Sequence, residues 1–264
     1  MSFYFKINYS ILKKFRKELI KNIPTVKIKK NKSSSLDFVT NADFKMQKLI
    51  KEFIRTYDKK SKIISEEESN LRYINFEENF WLIDPLDGTL NFASKIPCYC
   101  ISVAYITNGV VIFSFVININ TLEIFYAYKN NGAYFNGAKI INNQASNLIN
   151  ISSSSILELN KKNKLNNFPK GFAMRNIGSQ SLALCYLANG SFSAVINKVA
   201  KVWDDVAAIL IITESKGSYY SNQKLKGKIS FNKDLNSLAV HSSKIELKKI
   251  LLDLDDKKRY LHLN

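Results

Sequence analysis

Apolar side chains recur along this chain with two periods, and the switches between them mark out the elements. Ile11, Leu12, Phe15, Leu19 and Ile20 fall three and four residues apart, which predicts an amphipathic helix within the first twenty residues. Phe38, Ala42, Met46, Leu49, Ile50 and Phe53 repeat the pattern and predict a helix over 37–57. Short apolar runs at 62–65 and 80–83 end in acidic residues and predict strands. From Cys98 to Phe135 the period becomes that of strands, in CYCISVAYI, VVIFSFVI and TLEIFYAY. Thr-Asn-Gly, Asn-Ile-Asn and Asn-Asn-Gly turns separate or follow them, so an antiparallel meander is expected. Beyond it, strands near 149–152, 170–174, 191–196 and 238–240 alternate with helices over about 154–165, 179–189, 204–215 and 243–254. No repeat and no Gly/Ser linker divides the chain. The expectation is one domain over 1–264, with an N-terminal half (1–145) carrying the antiparallel sheet and a C-terminal α/β half (146–264). Its class is a layered α/β (α+β) sandwich.

Composition narrows the picture. The chain has 264 residues, 46% of them hydrophobic, enough for a substantial core and too much for disorder. No apolar run approaches the ~18 residues that span a bilayer. Charged residues at Lys13, Lys14, Arg16 and Lys17 interrupt the place where a signal peptide would be apolar. Cys98, Cys100 and Cys185 form neither a zinc spacing nor a disulfide framework. They read as buried, reduced thiols of a cytoplasmic protein.

The net charge of +17 raises the question of a polyanionic partner. Only five of the basic residues are Arg (Arg16, Arg55, Arg72, Arg175 and Arg259), and planar recognition of phosphate and bases draws chiefly on Arg. The lysines are spread along the chain. A solvated Lys-rich surface is the expectation, with no membrane and no nucleic acid as partner.

The informative residues run against that charge. Carboxylates gather in four segments where the period changes: Asp37–Asp43, Ser65-Glu-Glu-Glu68, Trp81-Leu-Ile-Asp-Pro-Leu-Asp-Gly-Thr89 and Trp203-Asp-Asp205. In the third, Trp81–Ile83 reads as a buried strand, Pro85 as a turn, and Asp87 as the N-cap of a new helix. Two carboxylates then flank one turn beside the N–H groups of Gly88 and Thr89. Carboxylates bind hard divalent cations, and helix N-termini bind phosphate. Glu66 follows the strand 62–65, and Asp204 stands at a helix start where the dipole favours it. Acids at element ends can converge at one sheet edge, the usual ligand site of open sheets.

At this point the chain resembles the inositol monophosphatase family. Asp84-Pro-Leu-Asp-Gly-Thr-Leu-Asn-Phe92, preceded by Trp81-Leu-Ile, resembles its signature. Asp37-Phe-Val-Thr-Asn-Ala-Asp43 resembles its D-x-V-T-x-x-D segment, and Ser65-Glu66-Glu67 its G-E-E segment. Trp203-Asp204-Asp205-Val-Ala-Ala208, followed by Thr213-Glu-Ser-Lys-Gly217, resembles W-D-x-A-A with a later E-A-G-G. The four agree in order and spacing over about 30–220.

The resemblance implies an αβαβα sandwich of the inositol monophosphatase/fructose-1,6-bisphosphatase kind. It implies a Mg²⁺-dependent, lithium-sensitive phosphomonoesterase, usually a homodimer, acting on a small phosphorylated metabolite such as an inositol-1-phosphate-like sugar or polyol monophosphate. Two to three Mg²⁺ ions are implied per site. Glu66, Asp84 and the Leu86 carbonyl would hold the first, Asp84, Asp87 and Asp204 the second, and Glu66 would contact a third through water. The register of Glu66 against Glu67 is open by one residue. Asp43 and Thr89 would orient and help deprotonate the attacking water, and Glu66 joins them as a catalytic residue. Asp87, Gly88 and Thr89 would face the phosphate, and Gly178, Ser179 and Gln180 the alcohol. Lys32, in Lys-Ser-Ser-Ser-Leu36, matches a mobile loop whose lysine approaches the metals; a linker between two helices is the other reading. Both His, at 241 and 262, lie far from every motif, so none stands ready as a general base. Paired ions that acidify water agree with that.

Departures from the family pattern fall on the alcohol side and touch no metal ligand. Asn197 stands where many members carry a glutamate that binds inositol hydroxyls, and asparagine lacks its charge. Ser65 replaces a glycine, Ser94-Lys95 replaces His-Gly, and Lys216 interrupts E-A-G-G. Histidinol-phosphate, 3′-phosphoadenosine 5′-phosphate and fructose-1,6-bisphosphate phosphatases are the rival activities. A basic nucleic-acid-binding module on the same fold is the rival class, marked by salt-sensitive binding that persists in EDTA.

Overall fold

The computed structural model describes residues 3–24, 28–34, 37–68, 71–141, 144–253 and 260–262. In chain order its elements are α1 (Tyr9–Lys21), β1 (Ile28–Ser34), β2 (Asp37–Thr40), α2 (Asn41–Tyr57), β3 (Lys62–Ser65), β4 (Tyr73–Asn75), β5 (Phe80–Asp87), α3 (Thr89–Ala93), β6 (Cys100–Thr107), β7 (Val110–Asn118), β8 (Ile124–Tyr128), β9 (Gly132–Phe135) and β10 (Ala138–Lys139). Then come β11 (Leu148–Ile151), α4 (Ser153–Lys161), β12 (Ala173–Arg175), α5 (Gln180–Ala188), β13 (Ala194–Ala200), α6 (Val202–Glu214), β14 (Ser218–Ser221), β15 (Lys228–Ser230), β16 (Leu235–Val240), α7 (Leu247–Asp253) and β17 (Tyr260–His262).

Two sheets organise the chain. The first has seven strands in the order β10-β9-β8-β7-β6-β5-β3, antiparallel except for the β3–β5 pair. The second has six in the order β12-β11-β13-β16-β14-β17, with β11 parallel to both neighbours. Three apolar clusters fix the layers. Leu12, Phe15 and Leu19 of α1 and Met46, Leu49 and Ile50 of α2 pack on one face of the first sheet, against Trp81, Ile83 and Phe115. Leu182–Leu184 of α5 and Val206–Ile212 of α6 are buried between the two sheets. Leu159 of α4 and Leu247 and Leu251 of α7 cover the outer face of the second. The order is helix, sheet, helix, sheet, helix. Helices α5 and α6 are apolar all round because both their faces are covered. No helix among the described residues is long and apolar enough to cross a membrane.

Three expectations are corrected. The helix expected over 37–57 begins at Asn41, because Thr40 is extended and closes a capping box. Its hydroxyl accepts from the Ala42 N–H (3.0 Å), and the Asp43 carboxylate accepts from the Thr40 N–H (2.7 Å). Residues 37–40 form β2, which pairs antiparallel with β1. The backbone of 28–34 is therefore a strand and not a linker between two helices: aromatic and β-branched Phe38, Val39 and Thr40 favour a strand, and β1 partners it. The side chains of Lys32 and Asp37 lie outside the described residues. Strand β5 continues past Ile83 to Asp87, where a turn was expected at Pro85. At residue level, Ile20 faces solvent although it shares the spacing of the buried α1 residues.

Candidate active site

The extended β5 explains how two carboxylates come to one place. Its pairing with β6 shifts register between Asp84, opposite Ser102, and Asp87, opposite Cys100. Three steps on one strand meet two on the other, which is a bulge, and Pro85 sits inside it where the ladder is already broken. Within the bulge the Leu86 N–H donates to Asp84 Oδ1 (2.9 Å). Gly88 follows at φ +93°, and a Cβ there would stand 2.8 Å from the Cys98 carbonyl oxygen, so the position requires glycine. Gly88 is thus the cap residue of α3, and it offers no side-chain bond; the expectation that Asp87 caps this helix is corrected. Asp87 instead receives the first turn of α5, from the other half of the chain. Its Oδ2 accepts from the Ser179 hydroxyl (2.7 Å) and the Ser181 N–H (2.6 Å), and its Oδ1 from the Gln180 N–H (3.3 Å). Positive dipole and N–H groups at that turn suit a carboxylate.

The remaining acids arrive from three other elements. Asp43, buried in the first turn of α2, turns Oδ2 to the Thr40 hydroxyl (2.6 Å) and Oδ1 to the Thr89 hydroxyl (3.2 Å). The Thr89 hydroxyl also lies 2.9 Å from the Leu86 carbonyl oxygen, and its single proton can go to one of the two. Glu66 follows β3, whose parallel pairing sets Ser65 opposite Ile83, one residue before Asp84. Of the two candidate glutamates it is Glu66 whose charge acts on Asp84. Asp204 lies in the first turn of α6, where its Oδ2 accepts from the Lys201 N–H (2.8 Å).

Electrostatics show four charges held too close. Burial, and then the charges of Glu66, Asp87 and Asp204, push Asp84 well above the usual carboxylate range. Burial, and then Asp87 and Glu66, do the same to Asp204. Burial also raises Asp87, against the lowering effect of its bonds from α5. Among the described residues no basic side chain bonds to Asp84, Asp87 or Asp204. The donor set is all oxygen and anionic, which fits a hard divalent cation such as Mg²⁺ and no soft metal. Among the described residues no three such groups stand close enough to enclose an ion as they are. The Cys100 thiol, 3.8 Å from Asp87, is pushed far up by burial and then by that carboxylate, so it stays neutral and is no nucleophile. Cys98 and Cys185 are free as well.

The expected alcohol side is polar and tightly bonded. Gly178 takes φ +73°, with the Asn91 side chain 2.7 Å from where a Cβ would stand. Asn91 donates to the carbonyl oxygens of Cys98 and Ile177 (both 2.7 Å), so α3 is laced to the segment before α5. Ser179 and Gln180 are both buried against Asp87. Asn197 on β13 donates to Gln180 Oε1 (3.2 Å), and Gln180 Nε2 donates to Asp205 Oδ1 (2.7 Å). The structure thus brings Asp43, Glu66, Asp84, Leu86, Asp87, Gly88, Thr89, Ser179, Gln180, Asn197 and Asp204 into one connected neighbourhood. Sequence reasoning assigned no part to Asn91, Ser181, Asp205 or Tyr219. Asp205 stood in the acidic segment Trp203-Asp-Asp205 but had no role of its own there.

Known proteins resemble the chain in sequence and in fold. Human inositol monophosphatase 1 is 29% identical over 212 residues, covering 76% of each chain. The Thermotoga maritima fructose-1,6-bisphosphatase/inositol-1-monophosphatase is 30% identical over 190 residues, 70% of this chain and 72% of that one. A crystal structure of an IMPase/NADP phosphatase complexed with Mg²⁺ and phosphate shares the fold, with a TM-score of 0.76 at 24% identity over 94% of this chain and 95% of that one. The inositol monophosphatase family itself matches residues 1–252, which takes in all four acidic segments and both sheets up to β16. With those segments converging on one bulge, the chain belongs to the inositol monophosphatase family, whose members hydrolyse phosphate monoesters.

Proposed function

We propose that the chain is a Mg²⁺-dependent phosphomonoesterase that releases phosphate from a small sugar- or polyol-type monophosphate by direct attack of water. The observation that carries this reading is the Asp43–Thr89 pair beside four mutually repelling carboxylates. Glu66, Asp84, the Leu86 carbonyl, Asp87 and Asp204 would hold two to three ions. Bound Mg²⁺ would supply the charge that lets an acidic pocket accept phosphate, and would acidify water in contact with it.

The chain's own residues do the rest. Asp43 Oδ2 is occupied by the Thr40 N–H and hydroxyl, so Oδ1 is the oxygen that takes the Thr89 proton. Thr89 Oγ1 then accepts a proton from water, leaving hydroxide aligned to attack phosphorus opposite the leaving alcohol. Were the Leu86 carbonyl to hold an ion, the proton of the Thr89 hydroxyl, which lies 2.9 Å from that oxygen, would be left with Asp43 as its acceptor. Gly88, free of a side chain, lets the backbone approach the phosphate closely. A fixed Asp87, tied to α5, keeps the phosphate end and the alcohol end in register.

The test is a phosphate-release screen over small monophosphates with Mg²⁺, with and without Li⁺. In Asp84→Asn, release is expected to fall by at least about a hundredfold. The melting temperature should hold or rise, because the charge removed is one that burial and three neighbours oppose. Activity within threefold of wild type would sink the metal assignment.

A further inference from the structure

Asp205 is fully buried in the first turn of α6, yet no step above uses it. Its Oδ2 accepts from the Tyr219 hydroxyl (2.5 Å) and its Oδ1 from Gln180 Nε2 (2.7 Å). With a carboxylate oxygen facing it, the Gln180 amide has one orientation: Nε2 towards Asp205 and Oε1 away. Oε1 is then an acceptor for Asn197, whose Nδ2 donates to it (3.2 Å). Asn197 Oδ1 is held in turn by the Val199 N–H (3.1 Å). Both amides are therefore locked in sign. One lone pair of Asn197 Oδ1 is taken by the Val199 N–H, and the second hydrogen of its amide has no acceptor among the described residues. This N–H stands one hydrogen-bonded residue from Asp87, since the Gln180 backbone N–H donates to that carboxylate.

We infer that Asp205 is a positioning residue that fixes the polarity of the Gln180 and Asn197 amides, so that the alcohol side offers an N–H donor and favours phosphate esters carrying a second anionic group, such as a carboxylate. The inference rests on reading the chain as a phosphomonoesterase. A donor bonds a carboxylate more strongly than it bonds a hydroxyl, because the bond is charge-assisted. A net charge of +17 makes the same preference at longer range.

Two matched pairs of esters test it, each differing in one carboxylate: 3-phosphoglycerate against glycerol 3-phosphate, and 6-phosphogluconate against glucitol 6-phosphate. With Mg²⁺, the wild-type chain is expected to favour the acid by about tenfold in kcat/KM in at least one pair. Asp205→Asn, which frees the Gln180 amide to turn, is expected to cancel that preference through KM, with kcat on the acid kept within about threefold. Equal use of acid and polyol, a polyol preference, or a loss in Asp205→Asn that is the same for both esters overturns the inference. Asn197→Asp is the second variant, for use where Asp205→Asn does not fold. It replaces the donor by an acceptor and is expected to reverse the order within the pair; an unchanged order overturns the inference. Absence of phosphate release from every ester overturns the phosphatase reading instead. In that case ¹⁵N side-chain resonances still decide on the network: slow exchange of the Gln180 amide hydrogens in wild type, lost in Asp205→Asn, supports it, and identical spectra overturn it.

Discussion

Asp43 has two duties that its two oxygens keep apart. Oδ2 closes the capping box of α2, and Oδ1 faces the Thr89 hydroxyl. Asp43→Asn leaves an oxygen for the cap and removes the proton acceptor. Steady-state kinetics should show kcat lower by about 10²–10⁴-fold with KM changed little. Thermal melts should show a loss of about 1 kcal/mol or less from the weakened cap. A kcat within threefold of wild type would take Asp43 out of the proton path. Asp43, Glu66, Asp84, Asp87 and Asp204 were legible in the sequence because each lies in a short segment whose order could be compared with a family pattern. The part played by Asp205 was not, though the residue stands in the same segment as Asp204. Its partners Gln180 and Tyr219 come from elements whose meeting no spacing along the chain reveals.

At the scale of elements, periodicity found the long, well-patterned pieces and missed where they begin. The meander β6–β9 was visible because its alternation is regular and its turns carry Asn and Gly. The start of α2 was not, because Phe38 suits a helical stripe as well as the strand it occupies. Capping decides such boundaries, and one cap makes a pH-dependent contribution. His241 is buried ahead of the short helical turn 242–244, where Nδ1 accepts from the Ser243 N–H (3.2 Å). A protonated ring could not accept there, and burial lowers its pKa from the ordinary value. The unfolded chain therefore binds this proton more readily than the folded one. The contribution is present above about pH 6.5 and is lost as pH falls through the lowered folded value. Urea titrations of wild type should show stability falling with acid below that point. His241→Asn keeps a capping side chain without titrating, and should flatten that part of the profile. An unchanged slope would show that His241 is not the group responsible.

The whole molecule sets a minority of acids against a net charge of +17. Folding draws Glu66, Asp84, Asp87 and Asp204 from opposite halves of the chain to one bulge, and burial, then the neighbouring carboxylates, raises Asp84 and Asp204, so charge buried there is unfavourable. The fold accepts it because the layers around it, above all the apolar α5 and α6, are already buried between two sheets. A cation that binds the gathered carboxylates and not the scattered ones stabilises the folded state, by about 2.7 kcal/mol at a concentration a hundred times its Kd. For a chain of this size that corresponds to a rise in Tm of roughly 5–10 °C. Protons compete for the same oxygens, and since the folded pKa values are raised, the folded chain takes those protons up first as pH falls. The Mg²⁺-induced rise should therefore be largest near neutral pH and shrink towards pH 5. It should reverse with EDTA, fail to appear with NaCl at equal ionic strength, and be mostly lost in Asp84→Asn. A Tm indifferent to Mg²⁺, or a shift of equal size in Asp84→Asn, would mean that the charge gathered at the bulge is not a cation site.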